Sequence, residues 1–411
     1  MLHTKQVRWA LLDQALVSGT NFLVGILLVR FIGIEQYGIF VLAWMLVQFF
    51  ASIQNALVIS PMLVIAPKIP VEERSNYFSA TVALQAVFVS LLAFLAVAAV
   101  FIPGQYKPNW LPLDATLPLV ACMFFVQFQD YARRNLFARL SPHRSFYLDL
   151  VAYGAQLPLI FMVVRAYPTF ETALFVIAGT MFCSVLLGCR WLAFAQVSKA
   201  NIVEVATRHW FSAKWLLGSA IMQWLSGNYF LIVAGMLLGP AVVGAIRAAQ
   251  NLLGLTHILF QGLENVVPRE ASRRYHAGGA YELLSYIIKV GLALLLGTGL
   301  VATASAVFAK PLLYFVYGAL EPNSIIAMRW YVPIYILVAV GLSLRAGLRS
   351  LEKTRAIFFA YIIGTVFSLV VANYFVTQFG VSGVMAGMLI VQLTMVLVLI
   401  TTLFLELRVK G

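Results

Sequence analysis

Apolar runs of about twenty residues, the length of one helical crossing of a bilayer, follow one another along almost the whole chain. Charged residues make up only 10% of it and apolar residues 62%. A soluble domain carries about 25% charged residues, so a chain this poor in charge has lipid as its solvent. Twelve spans are predicted, with cores near 9–31, 39–59, 81–102, 115–129, 146–164, 172–194, 213–238, 241–267, 285–308, 325–348, 356–379 and 381–405. The fold class is therefore an all-α polytopic membrane protein of about twelve transmembrane helices.

The chain is also written twice. Trp9, Gly33 and Gly38 recur 206 positions later as Trp215, Gly239 and Gly244. Arg134 and Arg144 recur 211 positions later as Arg345 and Arg355. A drift of five residues is what loop insertions leave behind. Internal duplication in an apolar chain is a mark of transporters, in which two similar bundles work about a site between them. The expected organisation is a six-helix bundle over 1–196, a cytoplasmic linker over 197–212 and a second six-helix bundle over 213–411. Ile202, Ala206 and Trp210 share one helical face in the linker, which reads either as an interfacial helix or as a plain basic linker.

Net charge is +13, but the basic residues sit in short loops between spans, which argues against nucleic acid. With the N-terminus inside, inner segments hold 22 of the 28 Lys and Arg and outer segments 5. That bias places both termini in the cytoplasm. The remaining one, Arg247, falls within a span. Cys122, Cys183 and Cys189 lie in apolar spans without ligand spacing, so no disulfide or metal site is expected. The first apolar run has no small-residue cleavage pattern and reads as a retained span.

Polar residues inside spans are the candidates for function, because lipid cannot satisfy them. Arg247, Gln250, Asn251, Gly254, His257, Gln261, Glu264 and Asn265 follow at steps of three and four, which places them on one helical face. Shorter stripes occur in the first span (Gln14, Ser18, Asn21), the second (Trp44, Gln48, Ser52, Asn55) and the seventh (Ser219, Gln223, Ser226). The repeat relates spans one and two to seven and eight, so four polar faces suggest a shared cavity. Arg247 lies about 9 Å below the outer end of its span at 1.5 Å per residue. It binds an anionic cargo group, or it snorkels to the outer interface or pairs with a carboxylate. Asp13 and Glu264 are candidates for proton or sodium coupling, although Asp13 lies close enough to Lys5 or Arg8 to pair there. Gly383 and Gly387 form a close-packing motif. Pro61 and Pro268 are expected to end or kink the second and eighth spans.

No phosphate-binding Gly-Lys loop, His-Glu-x-x-His or Gly-x-Ser-x-Gly occurs. No enzyme activity and no resident cofactor are expected, and an ATP-driven pump would need a separate motor subunit.

The run Asp13-Gln-Ala-Leu-Val-Ser-Gly-Thr-Asn-Phe-Leu, with Arg30-Phe-Ile-Gly-Ile-Glu-Gln-Tyr-Gly-Ile-Phe, resembles Wzx-type polysaccharide flippases of the multidrug/oligosaccharidyl-lipid/polysaccharide superfamily. The segments 129–139 and 345–355 are similar to the same group. The resemblance implies two six-helix lobes whose cleft is lined by spans one, two, seven and eight. It implies a cargo as well: an oligosaccharide on a polyprenyl diphosphate, flipped to the outer leaflet for O-antigen, capsule or exopolysaccharide synthesis. The expected location is the bacterial inner membrane, with membrane lipids, a polysaccharide polymerase and chain-length machinery as partners. Two alternatives stand beside it, an ion-coupled multidrug exporter of the same superfamily and a membrane-embedded glycan polymerase or transferase.

Overall fold

In lipid, a backbone must hydrogen-bond to itself, and a helix does so within one segment. The computed structural model describes the backbone of residues 4–98, 115–195, 197–318 and 321–410, with side chains apart from 4–7, 10–11, 255–259, 261–266 and 408–410. All regular structure among the described residues is helical. In chain order the first elements are α1 (Thr4–Gln54), a π-helical stretch Asn55–Ile59, α2 (Ser60–Ile65), α3 (Arg74–Ala98) and α4 (Thr116–Ala138). Next comes one helical rod of mixed pitch: α5 (Pro142–Asp149), π turns at Leu150–Gly154, α6 (Ala155–Leu159) and π turns at Ile160–Val164. The chain continues through α7 (Phe170–Cys189), α8 (Lys199–Leu237), α9 (Pro240–Leu252), α10 (Gly254–Val307), α11 (Ala309–Tyr317), α12 (Pro322–Ser350) and α13 (Thr354–Lys410).

Eight of these stretches are long and apolar enough to cross a membrane. Two of them are double: α1 breaks at Gly33 and α13 at Gly380, both with non-helical backbone. The other two expected spans are too polar or too short to register. One is α4, which carries Asp130, Arg133 and Arg134; the other is α9 with the start of α10, up to a second break at Gly278 and Gly279. Each of the twelve predicted spans thus has its helical segment among the described residues.

The repeat is legible in the backbone. Gly33 has φ 78°, ψ 171° and its repeat partner Gly239 has φ 91°, ψ 165°. That region is open essentially to glycine alone. A Cβ at either position would touch nothing within 4 Å, so the constraint is in the backbone and not in packing.

Several boundaries differ from expectation. Helix α4 continues nine residues past Gln129, so residues 130–138 are helix and bury Tyr131, Ala132, Asn135 and Leu136. Helix α11 occupies what reads in sequence as an outer loop. Neither proline ends its helix: α2 continues beyond Pro61 and α10 beyond Pro268. The π-helical turns at Asn55–Ile59, just before Pro61, give a local way to accommodate its missing N–H.

By contacts the chain divides into a unit 1 of Met1–Ile221 and a unit 2 of Met222–Gly411, the division falling inside α8. The linker region is the first part of that 39-residue helix. It buries His209 and Ala213 in unit 1 and leaves Trp210 52% exposed. The face packed on unit 1 excludes Trp210 and includes His209, whose Nε2 lies 2.9 Å from the Tyr77 hydroxyl. In unit 2, Gly387 packs against the Phe230 ring, where a Cβ would overlap the ring atoms. That is the close approach the Gly383/Gly387 spacing predicts.

Replacing Gly33 or Gly239 by alanine should lower stability by about 1–3 kcal/mol each, through backbone strain. Gly179→Ala, at a helical site with open space, should be neutral or stabilising. Thermal unfolding of the three purified variants checks the order.

Candidate functional site

Two arginines inside the helical bundles have opposite surroundings. Arg133, on α4, is 13% exposed and sits between two carboxylates. Its Nη2 donates to Asp13 Oδ2 on α1 at 2.7 Å, and its Nε lies 2.6 Å from Asp149 Oδ2 at the end of α5. Gln129 Nε2 donates to the other Asp149 oxygen at 2.7 Å. Asp13 is 1% exposed and Asp149 0%. This triad joins three helices that are 120 and 16 residues apart in sequence. Asp13 therefore pairs across unit 1, with Arg133 on α4. Above it, Gln54 and Gln85 both donate side-chain N–H to the backbone oxygen of Gln127, and Gln127 Nε2 donates to Val47 O at 2.9 Å. Carboxylate, guanidinium and amide groups thus substitute for the water that lipid lacks.

Arg247, on α9, has only neutral hydrogen-bond partners among the described residues. Its Nη1 donates to Gln250 Oε1 at 2.6 Å and its Nη2 to Asn228 Oδ1 on α8 at 2.8 Å. Asn228 is held in turn by donating to Trp224 O at 2.9 Å. The Arg247 Nε is buried with no hydrogen-bond acceptor, and the guanidinium has no ion pair among the described residues. Neutral amides orient the group, and among the described residues no carboxylate compensates its unit charge.

The surroundings hold α9 in place. Tyr317 at the end of α11 donates to Ala248 O at 2.8 Å, and Ser324 at the start of α12 donates to Ala245 O at 3.0 Å. Residues from both ends of the loop between spans nine and ten thus seat the turns of α9 on either side of Arg247.

Of the predicted stripe, Arg247 and Gln250 come together and Asn251 lies half-buried on the next position. The helix is interrupted at Leu253 (φ −85°, ψ 3°), so the stripe is carried by two helices and not one. The side chains of His257, Gln261, Glu264 and Asn265 lie outside the described residues. In unit 1, Gln14 donates to Ser18 at 2.9 Å within its own stripe. Asn21, Gln48 and Asn55 are exposed on the surface of unit 1, and Gln223 on that of unit 2. Asn55 opens the π-helical stretch. Arg133, Asp149 and Asn228 are missing from the sequence reading. Asn228 lies two residues beyond the Ser219, Gln223, Ser226 stripe, and a search of whole helical faces could have included it.

Residues 216–375 match the family model described as MatE. No curated protein sequence matches the chain. Solved structures share the fold. One is the inward-facing conformation of a multidrug resistance MATE family transporter of the MOP superfamily, with TM-score 0.78 at 16% identity, over 96% of this chain and 95% of that one. An outward-facing conformation of such a transporter gives 0.68 at 14%, over 98% and 95%. A MOP superfamily transporter from Pyrococcus furiosus Vc1, described as having a binding pocket of reverse polarity, gives 0.65 at 14%, over 98% and 95%. The chain thus has the all-α, multi-pass membrane fold of MATE transporters, and MATE family proteins are transporters, not enzymes.

Removing Arg133 leaves two buried carboxylates facing each other without a cation. Arg133→Leu should cost about 3–5 kcal/mol. Asp149→Asn, which keeps the Arg133–Asp13 pair, should cost clearly less. Unfolding temperatures in detergent, with the yield of monodisperse protein, test that ranking.

Proposed function

We propose that the chain is a transporter that moves a polyprenyl-diphosphate-linked oligosaccharide from the cytoplasmic to the outer leaflet, for the synthesis of cell-surface polysaccharide. The observation that carries this reading is the charge of Arg247, held by the neutral amides of Asn228 and Gln250 with no ion pair among the described residues. A cation within a span is costly, and among the described residues no carboxylate pairs with it. A diphosphate would supply both the missing charge and acceptors for the unused N–H, in the bidentate geometry that guanidinium favours. Gln250, Asn251 and Gln223, with Gln14, Asn21, Gln48 and Asn55, are the polar side chains we assign to the sugar moiety. His257 and Gln261 belong to the same assignment.

Alternating access is the proposed mechanism, supported by a fold that other proteins adopt in inward- and outward-facing forms. The Lys and Arg distribution supports a cytoplasmic N- and C-terminus in a bacterial inner membrane. Proton or sodium coupling through Asp13 or Glu264 is part of the proposal. For Asp13 it must operate through the Arg133 pair. A polysaccharide polymerase and chain-length machinery would act on the product.

The second reading, a multidrug exporter, is favoured by the structures of multidrug resistance transporters that share the fold. A guanidinium held by neutral amides repels cationic drugs, and a superfamily member with a pocket of reverse polarity is suggested to differ in function.

In proteoliposomes carrying a labelled polyprenyl-diphosphate oligosaccharide, Arg247→Ala should reduce flipping by about 10- to 100-fold, the loss of one or two charge-assisted hydrogen bonds. Its unfolding temperature should stay near that of the parent. Normal flipping by this variant removes Arg247 from the mechanism. Cation efflux without any glycolipid flipping establishes the drug reading instead.

A further inference from the structure

Unit 1 carries an apolar cleft of about 550 Å³ between α1 and the α5–α6 rod. Leu23, Ile26 and Leu27 form one wall, and Leu157, Pro158, Phe161 and Met162 the other. Its shape follows from the rod. Pro158 lacks an N–H and lies between two π-helical stretches, Leu150–Gly154 and Ile160–Val164, whose wider turns displace side chains from the regular α-helical track. At one end the two helices are joined by a ring contact, Phe31 on Phe161 at 5.7 Å.

The same end is basic. Arg165 lies three residues beyond Met162, with its guanidinium carbon 5.4 Å from the Phe161 ring centre and no ion pair among the described residues. Arg30 lies three residues beyond Leu27, on the same face of α1. Both arginines are exposed. An apolar slot that ends in two guanidiniums fits an amphiphile with a long hydrocarbon chain and a strongly anionic head.

We propose that this cleft binds the isoprenoid chain of a polyprenyl diphosphate, with Arg165 and Arg30 on its phosphates. The proposal rests on the lipid-linked cargo reading and adds to it a lipid-tail site in unit 1, separate from Arg247. Two features favour this occupant over a bilayer phospholipid. A slot between two helices accepts one chain, whereas a glycerophospholipid brings two. Two guanidiniums match the several charges of a diphosphate better than the single charge of a phosphodiester. With the positive-inside orientation these arginines stand at the outer end of the helices, where a flipped head would emerge.

The test uses the full-length protein in nanodiscs of phosphatidylcholine. The probe is a polyprenyl diphosphate with a photoreactive group near the far end of its chain, and adducts are mapped by mass spectrometry. Adducts are expected on residues 23–27 and 157–162, competed by unlabelled polyprenyl diphosphate but not by phosphatidylglycerol or inorganic diphosphate. Filling the slot with Leu27→Trp, or with Met162→Trp should the first variant fold poorly, should cut those adducts about tenfold or more, the affinity of two buried methylenes. Arg165→Gln should weaken competition without altering the unfolding temperature. Equal competition by phosphatidylglycerol overturns the proposal and makes the cleft an ordinary lipid seam. Specific adducts elsewhere, with none in the cleft, overturn it while leaving the cargo reading intact. No specific labelling anywhere removes both.

Discussion

The bridge from Arg133 to Asp13 and Asp149 is the contact on which the first unit depends. Three charged groups are held where water is scarce, and each is tolerable only because of the others. The bridge fixes α1, α4 and the α5–α6 rod to one another. With those helices set, the amides of Gln54 and Gln85 meet at the backbone carbonyl of Gln127, whose own amide reaches Val47 O.

Arg247 obeys the same rule with a different solution. Among the described residues its partners are neutral amides, which meet much of its hydrogen bonding and none of its charge. A guanidinium with two carboxylates is a structural joint. A guanidinium with two amides is an oriented, unneutralised cation. The geometry of the partners, and not the presence of an arginine in a span, separates a scaffold group from a candidate binding group.

The two halves share backbone and differ in charge. Gly33 and Gly239 adopt almost the same rare conformation. The charges have no such partners. By the offsets of the repeat, Asp13, Arg133 and Asp149 correspond to Ser219, Leu344 and Ala360, and Arg247 corresponds to Val41. Val41 is buried apolar core. Duplication thus supplied one scaffold twice, and each copy acquired its own polar cluster: a joint in the first, an oriented cation in the second.

Much of this was legible from sequence because lipid imposes simple rules. Twenty apolar residues must be a helix, and a glycine repeated at a fixed offset between two such runs marks a turn. The polar face headed by Arg247 and Gln250 stood out against its apolar neighbours for the same reason. What depends on distance in sequence was not legible. Nothing local in α4 shows that Arg133 meets Asp13 and Asp149, nor that His209 in the linker helix faces Tyr77. The break at Leu253, the continuation of α4 past Gln129 and the π turns around Pro158 are likewise set by what packs against them. By itself the sequence determined the helices, their number and their repeat, since these follow from local periodicity and the cost of polar groups in lipid. Only the tertiary structure decided which charges are neutralised, because that depends on which side chains the packed helices bring within a few ångströms.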